Sequence, residues 1–143
     1  MARFHEQLMG VYFDDLDPFQ ILHNARYIVL FERTLGSFWE AVGLGHFDLE
    51  GHTDHLHLVA HNSVDYLRPV RGVGRVRVRI AVEKLGRTSL TFRFNLMPMD
   101  RDVDHARGRR VVVHVDPETH SPSPWSADFR GRLEPWLELE PGA

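Results

Sequence analysis

Three carboxylates, Asp14, Asp15 and Asp17, stand just ahead of an apolar stretch with helical spacing. A carboxylate placed there can attack a carbonyl as a nucleophile or act as a general base on water. The unpaired backbone N–H groups at a helix start can polarise that carbonyl, so the pairing suits acyl transfer and asks for no Ser, Cys or metal. The same residues also allow plainer roles. Asp17-Pro18 is a good turn before a helix. Asp14 and Asp15 are either like-charge neighbours that raise the basicity of Asp17 or solvated loop charges. His23 can orient water or substrate, or simply cap and pack. Asn24 can offer its backbone N–H to a carbonyl, cap the helix with its side chain, or do both.

The elements that must position these groups follow from periodicity. From Asn24 onward the apolar residues Tyr27, Ile28, Phe31, Leu35, Phe38, Trp39 and Val42 recur at three- and four-residue steps, with Gly43 as a C-terminal stop. Val29 and Leu30 widen the apolar face, as expected for a helix wrapped by a sheet. Gly36, inside the helix, predicts a close backbone approach. Strands are expected over residues 4–13, 57–66, 75–82, 89–97 and 109–115. Pro69 to Gly74 forms a turn, and Glu83 to Thr88, with Gly86, a hairpin. Residues 44–55 read as a loop, and residues 121–143 as a tail or a short terminal helix at the end of a single domain spanning 1–143. One strand, one helix and four more strands in antiparallel succession make an α+β layout with the helix laid across one face of the sheet.

Composition narrows the function classes. At 143 residues, 43% hydrophobic, the chain can bury a core without disulfides, and it contains no cysteine. The formal charge of −3 argues against a nucleic-acid binder. No apolar run reaches membrane-span length and Met1 to Glu6 lacks a signal-peptide stretch, so the expected setting is soluble and cytoplasmic. Of the 17 basic residues only Lys84 is lysine. The arginines around Arg75 to Arg79 form either a solvated face or a partner or nucleotide contact. His46, His52, His55, His57 and His61 raise a metal reading, but their spacing fits no standard zinc motif, and no metal is expected.

The run Asp17-Pro18-Phe19-Gln20-Ile21-Leu22-His23-Asn24-Ala25-Arg26-Tyr27 resembles the hotdog acyl-CoA thioesterases of the 4-hydroxybenzoyl-CoA thioesterase family. Val64-Asp65-Tyr66-Leu67-Arg68-Pro69-Val70 and Leu85-Gly86-Arg87-Thr88-Ser89-Leu90-Thr91-Phe92 are similar to the family's second-strand and hairpin motifs, so the likeness covers roughly residues 8 to 120. The resemblance implies a hotdog fold, a five-stranded antiparallel sheet wrapped around one long central helix. It also implies hydrolysis of an acyl-CoA to the free acid and coenzyme A, with no cofactor beyond the coenzyme A of the substrate. A homodimer, or a tetramer made of two dimers, would carry its sites at the subunit interface. In that scheme Asp17 is the nucleophile or general base, Asn24 supplies the N–H that polarises the carbonyl, and His23 stands beside them. Phe19, Tyr27, His61 and Asn62 line the substrate, and Gly86, Arg87 and Ser89 contact the pantetheine and phosphates, unless they form an ordinary hairpin. Arg110 is a further phosphate candidate, and Glu32 anchors a buried polar contact. Gln20 stands where the family usually has Gly, so either the loop takes another path or a bulkier side chain narrows the acyl pocket. Two other readings are a hotdog protein that binds an acyl-CoA or acyl-carrier-protein thioester without cleaving it, and a plain α+β interaction domain.

Overall fold

The computed structural model describes residues 3–45 and 54–138. Alternation from His5 makes the first strand, β1 (His5–Val11), which ends earlier than its apolar pattern predicts. The cause is Asp15, whose carboxylate accepts the Tyr12 N–H at 2.8 Å and folds Phe13–Asp15 into a single 3-10 turn. The central helix, α1 (Arg26–Ala41), is 16 residues long, so about 24 Å, and starts two residues later than its spacing implies. Gly43 stops it with φ +82°, a left-handed conformation that Gly adopts at least cost.

Four strands follow: β2 (His57–Tyr66), β3 (Gly74–Leu85), β4 (Ser89–Met97) and β5 (Ala106–His114). They form one antiparallel sheet in the order β1-β3-β4-β5-β2. β5 begins three residues before the expected start because its first inward positions are Ala106 and Gly108, which carry little hydrophobic signal. A short second helix, α2 (Ala127–Leu133), follows the sheet and runs into a single 3-10 turn at Glu134–Trp136, so α1 is not the only helix. Ser126 caps it by accepting the Phe129 N–H at 3.1 Å, and the Asp54 carboxylate takes the Ser126 N–H and hydroxyl in turn.

The core lies between α1 and the inner face of the sheet. Tyr27, Leu30, Phe31, Leu35, Phe38 and Trp39 are buried against Val78, Ile80, Phe92, Phe94 and Val112. Phe31 stacks on Phe94 with ring centres 4.6 Å apart. That seat depends on Gly108, where a Cβ would lie 2.3 Å from the Ser63 carbonyl oxygen and 3.3 Å from the Phe31 ring. Gly36 has open space around it instead, so the close approach expected there occurs at Gly108.

On the outer face of the sheet the arginines are mostly ion-paired, with Arg75 exposed and unpaired among the described residues. Arg77 reaches Asp102 at 2.7 Å, Arg79 reaches Glu6 at 2.9 Å, and Arg109 reaches Glu83 at 2.8 Å. Among the described residues no three His, Asp or Glu side chains converge as metal ligands; His46 and His52 lie outside them.

Candidate active site

The loop between β1 and α1 is held by its own backbone. Asp17 N–H donates to the Ile21 carbonyl at 2.8 Å and Gln20 N–H to the Asp17 carbonyl at 2.9 Å, closing a tight turn. A second strip of chain braces it: Leu22 N–H bonds the Val70 carbonyl and Gly72 N–H the Gln20 carbonyl, each at 2.9 Å. Within this frame the Asp17 carboxylate is fixed by one oxygen. Oδ1 accepts from the Phe19 N–H at 2.8 Å and the Ile21 N–H at 3.3 Å, while Oδ2 has no hydrogen bond among the described residues.

Gln20 has φ +62°, the left-handed conformation that a Gly would take freely. The loop therefore keeps the path that Gly would permit, and Gln20 adds an exposed side chain to it.

His23 is tied on three sides. Its N–H donates to the Asp15 carbonyl at 2.8 Å, its carbonyl accepts the Arg26 N–H at 2.9 Å, and its ring Nδ1 accepts the Ala25 N–H at 3.0 Å. The N-cap position of α1 is Ala25, so the side-chain cap expected from Asn24 is not made; the His23 ring holds the N-cap N–H instead. Asn24 sits in the turn before α1 with its N–H unpartnered among the described residues. Its carbonyl accepts the Tyr66 hydroxyl at 3.1 Å. A concavity of about 420 Å³ opens here, lined by Asp14, Leu16, His23, Ala25, Arg26 and Val29.

One residue at this site had no role assigned from sequence, and another has a different role from the one expected. Tyr66 joins the end of β2 to the start of α1, its ring edge-on to Tyr27 with centres 4.9 Å apart. Asp15 is a buried carboxylate, 5% exposed, with Arg26 at 3.7 Å; it is neither a solvated charge nor a free neighbour of Asp17. Its spacing of three from Tyr12, a capping interval, was the available signal.

The other expected site residues divide into three places. Phe19 is 82% exposed on the Asp17 loop, whereas Tyr27 is 3% exposed and presents little surface to a ligand. Burial, and then Tyr66, raise the Tyr27 hydroxyl above its ordinary pKa. His61 and Asn62 lie on β2, an edge strand exposed along most of its length. Arg110 points inward, 3% exposed, donating to Asn62 Oδ1 at 2.9 Å and to Glu32 at 3.3 Å. It is therefore a core-facing cation and not a phosphate contact, because its β5 register turns it toward α1. Glu32 contacts the buried Arg110 guanidinium from an exposed position, its side chain 67% exposed, so the contact is buried on one side only.

Gly86, Arg87 and Ser89 sit at the far end of β3 from the Asp17 loop. Twelve residues at about 3.3 Å each put roughly 40 Å between the two ends. The hairpin there is clasped by the C-terminal segment: Arg130 donates to the Gly86 carbonyl at 2.8 Å and the Trp125 indole to the Ser89 carbonyl at 3.0 Å. One chain alone does not bring these residues to Asp17.

The sequence model of the thioesterase-like superfamily matches residues 11–133 of the chain. The chain belongs to that superfamily. As a thioesterase-like protein it is a thioester hydrolase. No curated protein matches it in sequence. Solved structures share its fold. One, described as a predicted thioesterase from Bacillus stearothermophilus, is 23% identical with a TM-score of 0.81, covering 98% of this chain and 100% of its own. A 1,4-dihydroxy-2-naphthoyl-CoA thioesterase from Synechocystis is 13% identical with a TM-score of 0.80, covering 92% and 96%. A Staphylococcus aureus protein solved in complex with CoA is 14% identical with a TM-score of 0.83, covering 100% and 89%. The thioesterase-like chain is thus a hotdog, with the Asp17 loop entering its central helix.

Proposed function

We propose that this thioesterase hydrolyses an acyl-CoA to the free acid and coenzyme A, with Asp17 as its carboxylate. The observation that carries the reading is the Asp17 side chain itself, anchored through Oδ1 by two backbone N–H groups with Oδ2 unengaged among the described residues, on the loop that leads to Asn24, whose own N–H is unpartnered among them. Oδ2 either attacks the thioester carbon, giving an acyl-enzyme anhydride that water then opens, or takes a proton from an attacking water; in both cases the carbonyl oxygen gains charge as the new C–O bond forms and gives it up as the C–S bond breaks and coenzyme A leaves as its thiolate. One N–H aimed at that oxygen contributes about 3 kcal/mol to the transition state, which is the role given to Asn24. The reaction then runs on protein groups alone, with coenzyme A entering as part of the substrate.

The working unit in this reading is a homodimer in the cytoplasm. β2 presents ten residues of unpaired edge, and Leu58, Val59 and Tyr66 on it are more than half exposed. A second copy covering that edge would lay its own strand residues, His61 and Asn62 among them, beside the site of the first.

Thiol release from a panel of acyl-CoA esters tests this. Asp17→Asn, with the fold retained, is expected to lower turnover by roughly 10²–10⁴-fold. An unchanged rate removes Asp17 from the chemistry. Tight acyl-CoA binding by the wild-type protein with no thiol released would instead make it a binder.

A further inference from the structure

Most arginines in this protein have a carboxylate within ion-pair distance. Arg26, Arg77, Arg79, Arg93, Arg107, Arg109, Arg110, Arg130 and Arg132 are all paired. Arg71 and Arg75 have neither a hydrogen bond nor an ion pair from the side chain among the described residues; Arg3, Arg33, Arg68, Arg87 and Arg101 also lack an ion pair, so what sets these two apart is the hollow they share. Both line one concavity of about 350 Å³, together with Val70, Gly72, Val73 and His105. No carboxylate lines it, and Arg68 flanks it in the same segment. The other concavities differ: that on the outer face of the sheet mixes arginines with Asp102, Asp104 and Glu138, a small one of about 90 Å³ contains Asp65, and that beside His23 contains Asp14. In a chain of net charge −3, an unneutralised cationic hollow is a feature to explain.

The floor of this hollow is the strip that braces the catalytic loop. Ile21 and Arg71 form a β-bridge, and Gly72 N–H bonds the Gln20 carbonyl at 2.9 Å. Gly72 turns the chain with φ +72°, and the next N–H, that of Val73, is unpartnered among the described residues. Two planar guanidinium groups, a free backbone N–H and no competing carboxylate form an acceptor-hungry surface suited to phosphate oxygens.

We infer that the hollow bounded by Arg71, Arg75 and His105 is a phosphate subsite that holds the phosphorylated part of the thiol leaving group on the same chain as Asp17. The inference rests on the acyl thioester reading above and gives the phosphate a contact beside the Asp17 loop of the same chain. The phosphate has two possible sources, the nucleotide of coenzyme A and the phosphodiester of a carrier-bound phosphopantetheine arm, and both present the same chemistry.

Calorimetric titration of the full chain at low salt with coenzyme A, 4′-phosphopantetheine and pantetheine tests it. The Arg71→Ala/Arg75→Ala double variant is expected to weaken coenzyme A binding at least tenfold and to leave pantetheine unaffected. Arg71→Lys/Arg75→Lys should recover most of the loss, and Arg33→Ala, which removes an exposed unpaired cation elsewhere, should change the Kd less than twofold. An equal loss for 4′-phosphopantetheine supports the subsite with the phosphate nearest the pantetheine as its ligand, and a loss for coenzyme A alone supports it with the nucleotide phosphates. In turnover, the double variant should raise KM for acyl-CoA with kcat within twofold, and leave acyl-pantetheine unchanged. Failure of coenzyme A to bind the wild-type chain, or loss of binding in Arg87→Ala with none in the double variant, overturns the inference. Retained binding with the expected variant pattern but no thiol release supports the subsite while defeating the hydrolytic reading.

Discussion

The Tyr66 hydroxyl donates to the main-chain carbonyl of Asn24 at 3.1 Å, so the last residue of β2 holds the turn that opens α1. The bond immobilises the peptide next to the N–H assigned to the carbonyl oxygen of the substrate. Tyr66→Phe keeps the edge-on contact with Tyr27 and removes only the hydroxyl. Loss of about 1 kcal/mol of positioning corresponds to roughly a fivefold fall in kcat, with a stability change of about 1 kcal/mol or less. Steady-state kinetics beside a urea melt separate the two, and an unchanged kcat would remove Tyr66 from the positioning of Asn24.

Gln20 holds a backbone conformation that costs an L-residue roughly 1–2 kcal/mol. Gln20→Gly relieves it and gives back about 0.4–1 kcal/mol through the freer unfolded chain. The expected net effect is a stabilisation of up to about 1 kcal/mol, read as a higher urea midpoint at constant m. A lower midpoint would mean that the Gln20 side chain contributes more than its backbone costs.

Two glycines predict opposite signs for the same substitution. Gly36→Ala, on an exposed and open stretch of α1, should stabilise by about 1 kcal/mol. Gly108→Ala drives a methyl group into the Ser63 carbonyl and should destabilise by roughly 1–3 kcal/mol, because β5 and its neighbour β2 must part and Phe31 must shift. Denaturant melts of the two variants check the pair, and equal effects would contradict the packing described for Phe31.

Burial lowers the pKa of both His5 and His57 below the usual 6.5. At His57 the carbonyl of Asp54 opposes the shift, and His114 and His55 add to it. The unfolded chain therefore binds more protons than the folded one between those lowered values and 6.5, so stability rises with pH across that window. The contribution is complete above pH 6.5 and is lost as the pH falls through the folded values. Melts from pH 7.5 to 5 should show declining stability, with a shallower slope in His5→Gln/His57→Gln; an identical slope would reject these two groups as the source.

The helix and the sheet were readable in the sequence because their faces are strongly periodic. The three-and-four spacing from Tyr27 to Trp39 marks α1, and Arg75 to Val82 alternates cleanly. What escaped did so for local reasons. Ala106 and Gly108 face inward without hydrophobic bulk, so β5 looked shorter than it is. Arg110 read as a phosphate candidate on its charge alone because nothing in its neighbourhood reveals that the strand register aims it at Glu32 and Asn62. Asp15 and Asp17 look alike as residues; one is consumed by Tyr12 and Arg26, the other keeps an oxygen free. The separation of Asp17 from Gly86 is a matter of strand length and sheet order, which no short motif carries.

The sheet order also sets when the protein can fold during synthesis. β1 has β3 as its one sheet neighbour, pairing His5 with Ile80, and β2 has β5, pairing His57 with His114. Each edge strand is therefore made long before the strand that receives it, and Glu138 N–H still has to bond the Val82 carbonyl near the end of the chain. Such long sequence separations slow folding. A nascent chain carries β1 and β2 unpaired until β3 and β5 emerge, so protease resistance will first appear once residues through Glu138 are out rather than grow strand by strand.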